Sequence, residues 1–503
     1  MAELETGEGT YSAKVGLLFV FNMIVGTGAL ALPKSFQITG IAFSNILLLI
    51  SVRNLICFTP NDLFVCATFV IESMSIANAA VTLKKNNCDT SGCSRSSIDN
   101  VEQHPSYTIS RRIEMTEMCK VFMGKTYLFF IYLVLVLYLL GDLTIYCATV
   151  SKSVINILCD SVNTNGTKSI VRCLWNSTIE YKYKTVYTTA IVLFAMLVTP
   201  LVYIGVSRTK YLQISTNLCR WTAFVLMITL ASLKLTESGV QGQPKIVELS
   251  GFGPLFGTTV YAFMCHHSLP AVLTPIRYKK YLISGLAAVF AVIMLFYIAL
   301  SVTGSLAFRT IMDVYTLNFL ENRAMDSLMY KLLDYFLALF PVFTLSTNYP
   351  ILGNTLANNL CVVFEMFTSS KKSNPEIEEQ QHLLSAEDGS TEVHEIKYLR
   401  YSSVSLKRCC LLLVILLPMS ISLVTDNVLL LASITGSYPG VAVEYTIPSL
   451  LVIYARRFNR QKFGETSSGE NFSPFKSPLW PYVMLTWSAF TIVMVTLNLM
   501  KTF

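Results

Sequence analysis

The sequence predicts an all-α integral membrane protein of about eleven transmembrane helices, and three observations carry that prediction. The residues AVILMFWYC make up 53% of the 503-residue chain and charged residues only 14%, against about 45–50% and about 25% in soluble globular domains. The apolar residues gather in runs, most of which approach the ~20 residues a helix needs to cross the hydrocarbon core. Two of those runs, the first and the sixth, contain Gly, His and Pro where a continuous lipid-facing helix would normally avoid them. Backbone groups freed by a break cost several kcal/mol each in hydrocarbon and are tolerated only where they line a cavity.

The elements follow in order. Residues 1–14 form a cytosolic N-terminus; residues 1–10 carry three Glu and no Lys or Arg, the wrong charge for a signal-peptide n-region. Spans are expected near 15–33, 41–76, 127–157, 187–206, 214–235, 254–276, 281–308, 329–352, 409–425, 427–455 and 481–500. They group as 15–276 (spans 1–6, the first repeat and the start of a second), 277–367 (spans 7–8) and 409–503 (spans 9–11). Span 10 carries Gly436-Ser437-Tyr438-Pro439-Gly440 and is expected to kink there. Span 2 is longer than one untilted crossing requires. It reads cleanly at Ile41–Ile50, is interrupted across residues 51–62, and resumes at Leu63. Either the helix is broken there or the segment is retained non-coding sequence. A transcript running from Leu47–Ile50 directly into Phe64–Thr68 would decide for the second.

Loop charge gives the orientation. With the N-terminus in the cytosol, 23 Lys and Arg fall on the cytosolic side and 11 on the other, the asymmetry expected of cytoplasmic loops. The polar stretches 82–124 and 368–408 are then cytosolic, with the Ser, Glu and Lys content of mobile segments. The loop 159–186 is lumenal or extracellular. It carries two glycosylation acceptors, Asn165-Gly166-Thr167 and Asn176-Ser177-Thr178, on the face where glycosylation occurs. Cys159 and Cys173 share that loop and can form a disulfide in an oxidising lumen.

The other eleven of the 13 cysteines read as small membrane or cytosolic residues. Cys88 and Cys93 are one pair without further ligands, too little for a zinc site. Cys409-Cys410 beside Lys407-Arg408 is either a palmitoylation site or an ordinary membrane pair. Glu379, Leu383 and Leu384 form an acidic dileucine pattern of the kind adaptor proteins read on endolysosomal membrane proteins, so the endolysosomal and plasma membranes both remain open. The +7 net charge follows from the inward-facing positive loops and implies no nucleic-acid partner. No hydrolytic or metal-ligand constellation is visible, and adjacent His266-His267 lacks i,i+4 ligand spacing. Neither an enzyme nor a resident metal or cofactor is expected.

Transporters built from inverted repeats show Gly- or Pro-interrupted spans at corresponding positions of their two halves. Gly26-Thr27-Gly28 in span 1 and Gly257 through Pro270 in span 6 are such a pair, five spans apart. Glycine alone often serves close helix packing. The paired break, with ionisable His266 and His267 inside the membrane, favours a binding site. Adjacent helical residues point about 100° apart, so the two histidines are not expected to face one ligand.

These residues carry a family resemblance. Asn22-Met23-Ile24-Val25-Gly26-Thr27-Gly28-Ala29-Leu30 resembles the first-helix signature of the amino acid/auxin permease family, within the amino acid-polyamine-organocation superfamily. Tyr261-Ala262-Phe263-Met264-Cys265-His266, followed by Leu269-Pro270, resembles its sixth-helix signature. The runs from Gly141-Asp142-Leu143 to Tyr146, Thr209 to Gln213, Met312 to Phe319 and Phe340 to Thr344 are similar to the transmembrane protein 104 group. The resemblance implies a five-plus-five inverted-repeat fold with discontinuous helices 1 and 6. It also implies an amino-acid-like substrate held by backbone around Gly26, Thr27 and Gly28 with Asn22 nearby, and selectivity from Tyr261, Phe263, Cys265 and His266.

Coupling has two readings. A sodium site as in related transporters would draw on Thr344, Thr347 and Asn348 of span 8, but the Thr-Val-Pro run and the basic residue after the later proline of sodium-coupled members are absent, Leu345 and Leu352 standing at about those places. Proton coupling would draw on His266, His267, Asp142 or Glu444. Asp142 and Glu444 serve equally well as structural partners of Lys152 or Arg220. The expected function is secondary active transport of amino acids or similar small zwitterions. The alternative is a non-transporting sensor that signals through the cytosolic loops.

Overall fold

The structure is a computed structural model. It describes residues 11–52, 62–91, 106–164, 167–173, 176–204, 210–322, 328–370, 404–464 and 469–502. Most of the interruption in span 2, Asn165, and the dileucine residues Glu379, Leu383 and Leu384 lie outside the described residues.

Among the described residues eight helices are long and apolar enough to cross a membrane: Asp62–Leu83, Tyr127–Leu158, Tyr183–Tyr203, Leu218–Ser238, Leu282–Ala307, Lys331–Phe367, Leu406–Val424 and Leu479–Asn498. A ninth is the pair α1 (Ala13–Ile24) and α2 (Thr27–Thr39), bent by 53° at the break. The expected spans 6 and 10 are made of shorter pieces. Span 6 is α9 (Phe252–Ala262), a 3₁₀ turn at His266–Ser268, and α10 (Leu269–Leu273). Span 10 runs from Val428–Thr435 through π-helical turns at Gly436–Gly440 and Ala442–Thr446 into Ile447–Phe463. Inserting one residue per turn re-aims every side chain that follows, which is why such turns are frequent at functional sites.

The chain divides into two compact units. The first comprises Met1–Leu128, Thr222–Glu321 and Val428–Phe503. Here Ser12 caps α1, its side chain accepting from the Val15 N–H at 3.4 Å. The α2 helix ends at Gly40, whose φ of 94° and whose approach to the Lys245 carbonyl (2.6 Å from a Cβ built there) both require glycine. The Ile41 and Ala42 N–H groups then donate to the carbonyls of Lys245 and Ile246. Glu72 on the helix Asp62–Ser91 and Arg456 on Ile447–Phe463 form a two-pronged pair, both N···O distances 2.8 Å, and Glu72 also accepts from the Ser473 N–H.

The composition of 82–124 suggested a mobile segment, yet residues 106–124 are folded within this unit. Asn78 Oδ1 accepts the N–H groups of Ser110 and Arg111 at 3.2 and 2.8 Å. Tyr107 stacks edge-on between Phe463 and Phe472 and donates to Asn459 Oδ1 at 2.8 Å. Ile109 and Ile113 are buried. A Glu114/Glu117 capping box then starts the helix Met115–Phe122.

The second unit comprises Phe129–Trp221 and Asn322–Asn427. Its addition to the helical fold is a three-stranded antiparallel sheet in what the sequence suggests is a plain loop: β1 (Cys159–Thr164), β2 (Thr167–Cys173) and β3 (Asn176–Lys182), in that order. Cys159 faces Cys173 across β1 and β2, and the two form a disulfide. They are buried with Val171, Ile155, Tyr187 and Ile191. The long helix Leu328–Ser370 extends well past the expected 329–352. It is tied to Val404–Val424 by the Tyr349 hydroxyl, which donates to the Val414 carbonyl at 3.0 Å.

Candidate functional site

All contacts at the two broken helices fall within the first unit. At the end of α1 the backbone of Val25 leaves the helix and Gly26 begins α2, with no side chain capping that new N-terminus. The first turn of a helix leaves its N–H groups unpaired, and aligned peptide dipoles give that end a partial positive charge. A Cβ built on Gly26 would meet nothing closer than the Ile24 carbonyl at 3.9 Å, so open space adjoins this end. Gly28 differs: a Cβ there would lie 2.5 Å from Ala262 Cα, and its lack of a side chain is what lets α2 meet α9.

The two breaks are bound to each other. Thr27 Oγ1 and Tyr261 Oη share a hydrogen bond at 2.8 Å. Ser35 donates to Thr258 Oγ1 at 3.1 Å one level further along. Tyr297, fully buried on Leu282–Ala307, donates to the Ile24 carbonyl at 3.1 Å and to the Ala262 carbonyl at 2.9 Å. These two carbonyls close the C-terminal ends of α1 and α9, where the helix dipoles place negative charge. One hydroxyl carries a single hydrogen. Two carbonyls converging on it therefore form an electronegative point beside the electropositive start of α2, a pairing that fits a zwitterion.

Behind this point lies aromatic packing. Phe263 stacks on Phe290 (ring centroids 6.2 Å apart) and meets Tyr297 edge-on at 5.1 Å. Cys265 is fully buried after the break, and Asn22 is buried on α1 shortly before its own. The structure thus brings Gly26, Thr27, Gly28 and Tyr261 together, with Phe263 and Cys265 in the adjoining core.

His266, expected among the substrate contacts, is instead held by the protein through both ring nitrogens. Nε2 lies 3.0 Å from the Leu63 carbonyl and Nδ1 meets a carboxylate oxygen of Glu444. The other Glu444 oxygen accepts the N–H groups of Cys265 at 3.1 Å and His266 at 3.3 Å, capping the restart of span 6. Glu444 reaches this position from the π-helical turn Ala442–Thr446, and both it and His266 are wholly buried. The sequence offered Lys152 or Arg220 as structural partners of Glu444. Lys152 pairs instead with Asp426 at 3.7 Å, and the partner of Glu444 is His266. Cys265, His266 and Glu444 each bring a donor atom within 4.8 Å of the others. As folded, Cys265 Sγ lies 3.9 Å from His266 Nδ1, which also meets Glu444.

The remaining candidates fall in both units. His267 follows in the 3₁₀ turn and is partly buried. Asp142 belongs to the second unit, buried with a side-chain hydrogen bond to Tyr146, which is itself in electrostatic reach of Arg220. Thr344 and Thr347 are buried in that unit, where Thr347 Oγ1 donates back to the Thr344 carbonyl at 2.9 Å; Asn348 is partly buried beside them. Tyr297, the residue joining both breaks, was missed by the sequence reading. A lone Tyr in a hydrophobic span gives no signal by itself.

Residues 90–497 match the family described as "Transmembrane amino acid transporter protein". The chain is similar to the transmembrane protein 104 homolog of Caenorhabditis elegans, with 41% identity covering 98% of this chain and 97% of that protein. Transmembrane protein 104 of Homo sapiens is 32% identical over 98% of this chain and 97% of its own. Among solved structures, that of MhsT in complex with L-phenylalanine is similar at a TM-score of 0.52 and 14% identity, covering 98% of this chain and 100% of that one. That likeness shows a shared fold.

Proposed function

Because this multi-pass membrane protein belongs to the transmembrane amino acid transporter protein family, in its transmembrane protein 104 branch, we propose that it is a secondary active transporter of amino acids or similar small zwitterions. The ligand sits at the breaks of helices 1 and 6 and crosses by alternating access. The observation that carries the reading is the open space over Gly26, at the uncapped start of α2, beside the carbonyls of Ile24 and Ala262 that converge on Tyr297. A carboxylate suits the first and an ammonium the second. A solved relative in fold, MhsT, is described in complex with L-phenylalanine, which supports the same ligand class.

The test is uptake of tritiated amino acids into proteoliposomes holding the purified full chain. Saturable uptake is expected. Gly26→Leu should abolish ligand binding and uptake while leaving folding intact, because a Cβ there meets nothing closer than the Ile24 carbonyl at 3.9 Å. Wild-type uptake in Gly26→Leu would sink the assignment of the site. Saturable binding by the wild type with no flux under any imposed gradient would favour a sensor that signals through its cytosolic loops.

A further inference from the structure

We propose that His266 and Glu444 hold a single exchangeable proton between them, and that this proton is the coupling ion. When bound it latches the restart of span 6 to the π-helical turn of span 10; when lost it releases them. The coupling rests on the transport reading above, whereas the latch stands on its own geometry.

The argument is one of hydrogen-bond valence. The Leu63 carbonyl can only accept, so His266 Nε2, 3.0 Å away, must carry a hydrogen. Glu444 Oε1 is already occupied by the N–H groups of Cys265 and His266. That leaves Nδ1 facing Oε2, with the Cys265 thiol, a weak hydrogen-bonding group, 3.9 Å from the same nitrogen. With one proton between them the contact is a hydrogen bond and the pair is neutral overall, whether drawn as imidazolium and carboxylate or as imidazole and carboxylic acid. Without it, a nitrogen lone pair faces an oxygen lone pair and the pair carries one net negative charge at a site with no solvent exposure. An unpaired buried charge is what a protein interior tolerates least, so loss of the proton must separate the two groups. The step balances simply: a proton enters from water on one side, resides between Nδ1 and Oε2, and leaves to water on the other, with no other bond made or broken.

The ionisable groups around the pair are few. Cys66 of span 2, Cys265 of span 6 and Tyr445 of span 10 lie in electrostatic reach of Glu444. Asp62 of span 2 lies in reach of Cys66 and Tyr445, and His267 is beside His266. Trp487 of the last helix, a neutral indole, adjoins Tyr445. Of these, Cys265 touches the pair, its Sγ 3.9 Å from His266 Nδ1 and its N–H on Glu444.

Glu444→Gln provides the discriminating variant. Its amide oxygen can accept both backbone N–H groups and its amide nitrogen can donate to neutral Nδ1, so every bond of the loaded latch survives without an exchangeable proton. Full-length protein in sodium-free proteoliposomes receives a one-unit pH gradient and a mixture of tritiated neutral amino acids. The wild type should accumulate label up to about tenfold, the limit for one proton per substrate. E444Q should only equilibrate it, about onefold, while still exchanging label for unlabelled substrate. Equal accumulation by the two, or a transporting wild type that ignores the pH gradient, overturns the coupling. Hydrogen exchange of the peptide spanning Tyr261–Pro270 tests the latch separately. In the wild type its protection should fall on raising the pH, beyond the intrinsic rise of amide exchange, and in E444Q it should not. Protection independent of pH in the wild type overturns the latch, even if E444Q fails to fold. Protection that responds to pH in a protein that moves no amino acid keeps the latch and overturns the transport reading.

Discussion

Gly26 and Gly28 stand two residues apart and answer different needs. Gly28 is a packing residue: Ala replacement would place its Cβ 2.5 Å from Ala262 Cα and 2.8 Å from Ala262 N, backbone atoms that cannot swing aside. Overpacking of this kind costs about 1–3 kcal/mol, so Gly28→Ala should melt at a visibly lower temperature in detergent. Gly26→Ala meets nothing within 3.9 Å, and its φ of −137° is ordinary for an L residue, so its melting curve should overlay the wild type. Equal melting of the two variants would mean that the α2–α9 approach is looser than its geometry. The sequence alone indicates that backbone is broken at Gly26-Thr27-Gly28. Which glycine packs and which adjoins the open space depends on Ala262, more than 200 residues away. The same distance hid the partner of His266: no local pattern links it to Glu444, 178 residues later.

Between elements, the strongest tie visible in the first unit is the buried pair of Glu72 and Arg456, which joins the end of span 2 to the end of span 10. Their side chains are 4% and 16% exposed, so Arg456→Met strands a buried carboxylate. The expected loss is about 3–5 kcal/mol. Adding Glu72→Leu should recover most of it, because the unpaired charge is then gone. A double variant as unstable as Arg456→Met would show that the arginine acts by its packing over Phe69 instead. At this scale the sequence was legible wherever hydropathy ran long, as in spans 3, 7 and 11. Elements short for a membrane were harder to read. The strap at residues 106–113 has a polar composition and folds because Asn78 and Asn459 supply its hydrogen bonds from elsewhere in the chain. The three strands of the outer loop carry a local signal in the sequence. Asn165-Gly166 is the strongest short hairpin pattern, and Val171 and Cys173 are buried on either side of exposed Arg172, the alternation of a half-buried strand.

For the whole molecule the open question of orientation can be argued from two independent features. Loop charge places 23 Lys and Arg on the side of the N-terminus and 11 on the other, and basic residues are retained in the cytosol. The Cys159–Cys173 disulfide joins β1 and β2 in a loop on the opposite side by this count, and disulfides persist in oxidising compartments. The acceptors belong to the same stretch of sequence: Asn165 follows Thr164, the end of β1, and Asn176 opens β3. If the sheet is lumenal, both acceptors should be glycosylated during synthesis. Enzymatic deglycosylation of the protein from membranes should then increase gel mobility in two steps, Asn165→Gln and Asn176→Gln should each remove one step, and the double variant should be insensitive. In sealed microsomes, protease should cut within 371–403 on the cytosolic side while the sheet stays protected. An unglycosylated wild type with a protected 371–403 segment would invert the topology. The paired breaks in spans 1 and 6 would still share their site, but the side from which the latch proton enters would be exchanged.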